Sequence, residues 1–548
     1  MKTRIFMGLL CLCLMLLSVL AALPMQASAL PQAGGVAPWE AGEAWDGTTA
    51  TAPSGTGTEE DPYRIGSAAE FKWIGNQVTG SKSCEGQYFI LTADIDCNGK
   101  QLRIGSFTKS FAGVFDGNGH TVYNNKITGN SSPNGLFAYA NGAIIKNLNV
   151  VASSVEKTVI YTTSGETPVY GTAGMLVGTL ENSTLTGCTV AGDCTIFGGA
   201  FAGGLVGVAK NSTISYCVNN GSAGILPDTE SKQSNVPNFA VGGIYGWSGG
   251  GNTVSNCINY GSVALGNIGA AKSGTNIFTV GGIVGYHTNN DTVSNCCNFG
   301  DVTGDAGTLT SRITVGGIAG RTRNSSGLTG SMTIERCCNL SDHLSGTGES
   351  KNIGSLVGYV NSGKLTVKDN LSVTVIGISE DNGAIVIDQA TGANVTSENN
   401  TIATAEAIGE KVAAIHSEIK NNRVARVAII GMQATEAVGG VCSVRILLGL
   451  DGLAYDFYKI KTTATYEKDG ATQTALNGGT PLTMAFDTVY VAGSPVSAVQ
   501  FGSDYLGAMV IENVPADVVI EFGIQAYIGT DAENETLVDS VICRLGEQ

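Results

Sequence analysis

Short apolar segments alternate with turns rich in glycine and asparagine along most of this chain of 548 residues. The clearest unit is 280–302, which reads V-G-G-I-V-G-Y-H-T-N-N-D-T-V-S-N-C-C-N-F-G-D-V. Its opening recurs in outline, and the glycine that closes each copy returns every 29 to 39 residues, at Gly178, Gly207, Gly246, Gly285, Gly320 and Gly358. A loose period of this length is typical of proteins built from stacked repeats. The pattern therefore predicts a solenoid of short strands.

A second pattern lies in the strands that follow these turns. Apolar residues at Ile145, Leu148 and Val150 cannot all point inward on one straight strand, because side chains alternate in direction with a period of two. They can if the chain turns a corner at Asn147, since asparagine tolerates a left-handed backbone better than most residues. The repeats place a residue suited to this corner at Gly187, Asn256 and Asn295, whereas two repeats depart from the rule with Tyr216 and Arg336.

These segments resemble a known repeat. The paired G-G-[LI]-x-G and x-[IV]-x-N-C segments are similar to the GLUG repeat of bacterial surface proteins, which also accompanies some immunoglobulin-A-cleaving metallopeptidases. The lead-in G-T-G-T-E-E-D-P-Y-R-I, followed by L-T-A-D-I-D and F-A-G-V-F-D-G-N-G-H-T-V, resembles the start of the same family's β-helix. The resemblance covers roughly residues 55–375 and implies a right-handed, pectate-lyase-like parallel β-helix. It brings no catalytic residues with it.

Composition divides the chain into four parts. Residues 1–29 combine a basic start, an apolar run and the small residues Ala27-Ser28-Ala29, the pattern of a secretory signal peptide. Residues 30–55 lack periodicity and indicate a linker. Residues 56–400 hold the predicted β-helix, with a capping box at Ser67 and Glu70 that predicts a short helix covering its first coil. Alternating strands in 411–548 predict an antiparallel β-sandwich, and R-I-L-L-G-L-D-G-L-A-Y resembles a C-terminal domain common in secreted proteins of clostridia-like bacteria. The predicted fold class is all-β.

Charge and hydropathy exclude one class of partner and set the compartment. The net charge of −16 leaves no basic stripe to neutralise phosphates, so a nucleic-acid partner is not expected. No second apolar run approaches the ~20 residues of a membrane-spanning helix. The mature chain is therefore expected to be a secreted or cell-surface-associated monomer without a transmembrane segment.

Twelve cysteines remain once Cys11 and Cys13 leave with the leader. Exported proteins often form disulfides, yet one cysteine recurs at an equivalent position in five repeats, namely Cys188, Cys217, Cys257, Cys296 and Cys337. Stacked about 4.8 Å apart, these thiols are predicted to form a buried ladder that packs like small apolar side chains. Disulfides among them are the alternative. Outside the ladder, the candidate disulfides are Cys297–Cys338, one residue further along two neighbouring repeats, and Cys442–Cys543 in the C-terminal domain.

The residues that could support catalysis or bind a metal form no recognisable motif. A zinc peptidase needs two histidines one helical turn apart with a glutamate beside the first, and no Glu follows His120, His287, His343 or His416. The segment from Asp94 opens like an EF-hand calcium loop, but Gly105 stands where the closing glutamate belongs. Charges for glycosidase or lyase chemistry are available, without a defined pair, at Asp291, Asp301, Asp305, Arg321 and Arg323. We expect no metal and no cofactor, and the sequence favours a protein without enzymatic activity.

One row of residues indicates where a ligand would lie. The residue after each of the last five closing glycines is, in successive repeats, Val208, Trp247, Tyr286, Arg321 and Tyr359. If each repeat is one coil, these side chains line up outside the solenoid about 4.8 Å apart. Aromatic side chains in such a row suit an extended glycan or a peptide. The alternative is that they cover a corner of the solenoid or pack beneath the loops that follow.

The sequence thus predicts an extracellular, non-catalytic binding or adhesion protein. Its partner would be a glycan or an extracellular protein, bound along the β-helix through Trp247, Tyr286, Arg321 and Tyr359. A polysaccharide lyase or glycoside hydrolase on the same scaffold is the alternative function. A purely structural role in the cell envelope is a third hypothesis.

Overall fold

A computed structural model describes most of the chain from residue 45. The described residues are the strands of 427–545 and all of 45–423 except 81, 130–132, 157–160, 163–168, 193, 226–237, 267–276, 306–311, 324–329, 342, 349, 374–386, 390–393 and 404. Within them, strands between 63 and 402 stack into five parallel sheets. Each full coil passes through sheets 1 to 5 in turn, and its strands pair with the equivalent strands of the next coil. This parallel β-helix is the stacked-repeat architecture that the sequence predicts.

Sheets 1 and 2 extend over the greatest number of coils. Sheet 1 has eleven strands, which are Tyr63–Ile65, Tyr88–Leu91, Val114–Asp116, Ile144–Lys146, Thr184–Thr186, Thr213–Ser215, Thr253–Ser255, Thr292–Ser294, Ser331–Glu335, Lys364–Lys368 and Asn394–Glu398. Sheet 2 has ten, which are Ile95–Asp96, Thr121–Tyr123, Asn149–Val151, Thr189–Val190, Val218–Asn219, Ile258–Asn259, Cys297–Asn298, Cys338–Asn339, Leu371–Ser372 and Thr401–Ile402.

The other three sheets complete the coils. Sheet 3 consists of Lys126–Ile127, Ser154–Glu156, Thr195–Gly198, Ser222–Ile225, Val263–Leu265, Val302–Asp305 and Leu344–Thr347. Sheet 4 consists of Thr172–Gly174, Phe201–Gly203, Asn238–Gly242, Ile277–Gly281, Arg312–Gly316 and Ser350–Gly354. Sheet 5 consists of Phe137–Asn141, Val177–Glu181, Val206–Lys210, Tyr245–Ser248, Val284–Thr288, Ala319–Arg323, Val357–Ser362 and Ile387–Gln389. A separate antiparallel pair joins Tyr161–Thr162 to Val169–Tyr170.

The corner between sheets 1 and 2 has the backbone conformation that the asparagine pattern predicts. Asn147, Asn256 and Asn295 have φ of 53°, 51° and 51°. The two exceptions adopt the same conformation, with φ of 54° at Tyr216 and 53° at Arg336. Because the strands on both sides are fixed by pairing with neighbouring coils, the corner must bend there even where the residue does not favour it.

A column of asparagines, which the repeat pattern did not predict, runs along the interior of the β-helix. Asn219, Asn259, Asn298 and Asn339 follow the corner on successive strands of sheet 2 and are fully buried. The Nδ2 of each of the first three donates to the Oδ1 of the asparagine in the next coil, over 2.8, 2.9 and 3.2 Å. The Nδ2 of Asn339 donates to Ser372 Oγ over 3.4 Å. These bonds satisfy amides that would be costly to bury without partners.

The double glycines lie directly against this column. A Cβ on Gly204, Gly243, Gly282 or Gly317 would overlap with the side-chain amide of the buried asparagine beside it. It would also overlap with a backbone carbonyl of the next coil. The second glycine of each pair is therefore required by close approach across the interior.

Two helices cover surfaces of the β-helix. Helix α1, Ala68–Thr79, places the Phe71 ring 5.1 Å from that of Phe115 and covers the first coil, as the sequence predicts. The side chain of Ser67 accepts from the N–H of Glu70, and Glu70 accepts from the N–H of Gly66. This is the predicted capping interaction, with the carboxylate bonded one residue upstream of the cap.

Helix α2, Ala405–Asn421, lies against the outer face of sheet 2. Four apolar residues at helical spacing, Ile408, Val412, Ile415 and Ile419, are buried there with Val218, Ile258, Cys297 and Cys338. The Oη of Tyr260 lies 3.0 Å from the Nε2 of His416. This helix spans residue 411, the predicted start of the C-terminal domain, and its buried face packs on sheet 2.

Beyond α2 the described strands form antiparallel sheets. One joins Val427–Ala434, Val441–Asp451, Asp504–Pro515 and Val499–Phe501 in that order. Another joins Ala471–Thr474, Phe457–Lys468, Ile520–Ile528 and Thr536–Leu545, with Leu482–Ala485 also paired to its second strand. A short pair joins Val489–Val491 to Ser494–Val496. The expected β-sandwich would be formed by the two larger sheets, and their packing against each other stays a prediction.

The contact between glycine and asparagine gives a stability prediction. Gly243→Ala should lower the free energy of unfolding by about 3 kcal/mol, because the new methyl group overlaps with Asn259 and with a neighbouring backbone. Gly409→Ala is the control, since Gly409 is an exposed residue of α2 with open space around its Cβ position. It should stabilise the protein by about 0.5 kcal/mol. Equal effects of the two substitutions on the free energy of unfolding in urea would contradict the packing role of Gly243.

Helix α2 also predicts a dependence of stability on pH. Burial lowers the pKa of His416 in the folded protein. Since its pKa is higher in the unfolded chain, near 6.5, this histidine contributes stability fully above that value and progressively less as the pH falls below it. Between about pH 7.5 and pH 5, the wild type should lose more stability than His416→Gln in urea titrations. An identical loss in both proteins would contradict this linkage.

Candidate functional site

The predicted row of outward residues exists as one line of paired positions on sheet 5. Val208 pairs with Trp247, Trp247 with Tyr286, Tyr286 with Arg321, and Arg321 with Tyr359. The line extends upstream through two residues that sequence reasoning missed, Thr179 and Tyr139. Tyr139 was hidden because Ala138 replaces the closing glycine of its repeat. We call these seven residues the outer row.

Solvent exposure divides the outer row into two halves. Tyr139, Thr179, Val208 and Trp247 are half-buried. In contrast, the exposed fractions of Tyr286, Arg321 and Tyr359 are only 3%, 3% and 8%. The first half, which we call the exposed half, therefore forms a surface. The second half, the covered end, is part of a packed layer.

The longer strands of sheet 4 contribute to this division. Thr172–Gly174 and Phe201–Gly203 have three residues each, and later strands of the sheet have five. The added residues cover the second half of the row. Arg321 Nη1 donates to Asn238 Oδ1 over 3.2 Å, and the Arg312 guanidinium lies 4.5 Å from the centre of the Tyr359 ring.

Within the row, aromatic rings stack on each other rather than presenting their faces to solvent. The rings of Trp247 and Tyr286 are parallel, with centroids 4.0 Å apart. The Phe201 ring lies 4.6 Å from Trp247, and Arg321 lies over Tyr286 at 5.4 Å. Trp247 therefore offers a ligand its edge and its indole N–H, which forms no hydrogen bond with any described residue.

Polar groups flank the exposed half of the row. Glu181 accepts from Tyr139 Oη and from Lys210 Nζ, each over 2.6 Å. The hydrogen bonds from Lys210 and Tyr139 lower the pKa of Glu181, so this carboxylate is ionised at neutral pH. Burial, together with the nearby carboxylate, raises the pKa of Tyr139 to about 12. The tyrosine therefore stays a hydrogen-bond donor.

Corner amides continue this polar surface. Asn182 Nδ2 donates to Asn141 Oδ1 over 3.0 Å, and Asn211 Nδ2 donates to Asn182 Oδ1 over 3.3 Å. Asn182 and Asn211 are exposed, each with φ of 48°. Amides, one ion pair and aromatic edges thus alternate over four coils, which is a surface able to bind hydroxyl groups repeatedly.

The carboxylates considered for catalysis have separate structural partners. Asp291 is fully buried and accepts from the backbone N–H groups of Asn252 and Thr288, both over 2.8 Å. Asp301 lies 3.6 Å from His343, and Asp305 bonds to a threonine hydroxyl. Within the described part of the chain, no group of three or more His, Cys, Asp or Glu side chains could hold a metal ion.

The five ladder cysteines are all buried free thiols. Each Sγ donates to the backbone carbonyl two residues before it, over 3.1 to 3.4 Å. The ladder position is occupied in the next two coils by Asn370 and Asn400. Their side-chain oxygens accept from the backbone N–H groups of Cys337 and Asn370 in the preceding coil. These thiols lie in the same hydrophobic core as Ile214 and Val254.

The first disulfide candidate lies on sheet 2 beneath helix α2. Cys297 and Cys338 are register partners on neighbouring strands, and both are buried free thiols. The hydrogen bond from Cys297, aided by Lys411, lowers the pKa of Cys338. A disulfide between them stays a prediction, as does Cys442–Cys543, whose side chains lie outside the described ones.

Comparisons with known proteins show only a partial similarity. No family model matches the chain, so the GLUG resemblance stays a prediction, and no solved structure matches it. Part of the chain is 34% identical over 169 residues to Halomucin of Haloquadratum walsbyi. The similarity covers 28% of this chain and 2% of that protein's length. Among the described residues, no helix is both long and apolar enough to cross a membrane.

The position of each thiol predicts its chemistry. Cys297 and Cys338 should be alkylated in the native protein before the ladder cysteines, because opening of one helix exposes them while the ladder needs the coils to separate. In air-oxidised protein, the same two should form the disulfide of the β-helix. Peptide mass spectrometry after timed alkylation measures both properties. A Cys257–Cys296 link, or equal alkylation rates at all seven positions, would contradict the ladder.

Proposed function

We propose that this protein is an extracellular, non-catalytic binding protein that holds an extended glycan along the exposed half of the outer row. The observation that carries the proposal is a row of half-buried side chains, one on each coil, beside exposed amides and the ion pair of Glu181 and Lys210. The row residues are Tyr139, Thr179, Val208 and Trp247. Successive coils repeat these groups about 4.8 Å apart, close to the length of one sugar residue. A polymer of sugars could therefore make similar contacts on each coil.

The chemistry of this surface favours a glycan over a protein. Protein interfaces usually centre on large apolar anchors seated in pockets, whereas here the ring faces are already covered by one another. What is accessible is an indole N–H, amides and an ion pair beside narrow apolar edges, which suits hydroxyl groups on a flat sugar ring.

The location is supported by independent features. The pattern of residues 1–29 is that of a leader for export, and the similarity to part of Halomucin suggests a surface or secreted protein. A lyase or hydrolase on the same scaffold is less well supported, because the acidic residues considered for catalysis have separate structural partners.

A double substitution that preserves the corner conformation tests the proposal. Asn182→Gly with Asn211→Gly removes two exposed amides, and glycine accepts the φ of 48° at both corners. We expect affinity for the best-bound polysaccharide of a glycan array to fall by about tenfold, the value of two hydrogen bonds. Trp247→Phe should weaken binding further while it keeps the stacked ring. Isothermal titration on the full chain without its leader measures both effects.

Two controls separate binding from packing. Asn399→Gly changes an asparagine of the same left-handed type, with φ of 52°, on the far coil and should leave the affinity unchanged. Tyr286→Ala removes a buried ring and should lower the free energy of unfolding by about 3 kcal/mol. Wild-type affinity in the double glycine variant, or binding of proteins but of no glycan, would refute the proposal. Cleavage of a bound glycan would establish the enzymatic alternative.

A further inference from the structure

Three arginines gather at the covered end of the outer row. Arg321 and Arg323 lie on one strand of sheet 5, and Arg312 lies on the sheet 4 strand that precedes it in the same coil. Arg321 is stacked over Tyr286 and Arg312 over Tyr359. The stacking holds two guanidinium groups in fixed positions, while Arg323 is exposed and Arg312 is half-buried.

Among the described residues, this positive cluster has no acidic partner. None of the three arginines forms an ion pair with a described carboxylate, although the chain carries 46 acidic residues and only 30 Lys and Arg. The Nε of Arg321 is buried and has no hydrogen-bond partner in the described structure. Burial, with repulsion from Arg323 and Arg312, lowers the pKa of Arg321. Like charges in a poorly solvated place favour the binding of an anion.

We propose that this cluster, the arginine site, binds the anionic groups of an acidic glycan, either carboxylate or sulfate. Guanidinium groups bind both anions through paired, charge-assisted hydrogen bonds. The inference rests on the proposed glycan-binding function, because the site continues the same row. Trp247 stacks on Tyr286, and Arg321 is the register partner of Tyr286 in the next coil. Arg323 is exposed on the strand of Arg321, so a chain of sugars that extends from the exposed half past Trp247 by two coils would reach the arginine site.

The test measures the binding of three polymers to the chain from residue 30 onward. Polygalacturonate supplies carboxylates, dextran sulfate supplies sulfates, and dextran is neutral. At least one acidic polymer should bind about tenfold tighter than dextran, and this difference should disappear as NaCl rises from about 0.05 M to about 0.5 M. Competition by inorganic sulfate separates recognition of the free anion from recognition of the polymer.

Single substitutions show whether the arginines cause the preference for acidic polymers. Arg323→Gln and Arg312→Gln should each reduce binding of the acidic polymer by about tenfold, with little change in dextran binding. Arg64→Gln is the control, because Arg64 is half-exposed, paired to Asp61 and distant along the chain. Unchanged stability in urea shows that the variants remain folded.

The outcomes distinguish this inference from the proposed function. Equal binding of acidic and neutral polymers, unaffected by Arg323→Gln, overturns the arginine site and leaves glycan binding intact. If binding of the acidic polymer is lost in Arg323→Gln but unchanged in Asn182→Gly with Asn211→Gly, the result supports the arginine site. It contradicts glycan binding along the exposed half of the outer row. Binding of inorganic sulfate without binding of any polymer shows an adventitious ion only and overturns both.

Discussion

The close approach of a glycine to a buried asparagine in four successive coils is the contact on which the rest of the β-helix depends. Gly243 leaves room for the amide of Asn259, and that amide bonds to Asn298 in the next coil. The interlock ties sheet 2 to the turn between sheets 4 and 5. It also sets the height of each coil by a hydrogen bond, because an amide displaced along the axis would lose a partner inside a dry interior.

The outer row depends on the same stacking of coils. Because the strands of sheet 5 pair in register, the equivalent residue takes the same outward position on successive coils. Whether that position becomes surface or core depends on contacts made elsewhere, such as the hydrogen bond from Arg321 to Asn238 of sheet 4. One repeated position thus supplies Trp247 to a polar surface and Tyr286 to a packed layer. The arginine site lies where the covered layer meets solvent again.

The two sides of sheet 2 use cysteine differently. Cys296 points into the central core, where its thiol packs among aliphatic side chains and bonds to a backbone carbonyl. Cys297 points the other way and is buried only because helix α2 lies over it. Alternation along a strand gives neighbouring residues opposite environments. Consecutive cysteines can therefore combine a packing role with one that depends on the docking of a single helix.

The sequence by itself determined the stacked repeats, the left-handed corner at Asn147, the cap formed by α1 and the register of the outer row. All of these follow from local periodicity and from backbone preferences that a short segment carries. Tertiary structure alone decided that Tyr216 and Arg336 bend like asparagine, that Asn219 begins a buried column and that α2 returns across sheet 2. It also decided which half of the row is exposed, because burial depends on strands that are distant in sequence and brought together only by the stacking of coils.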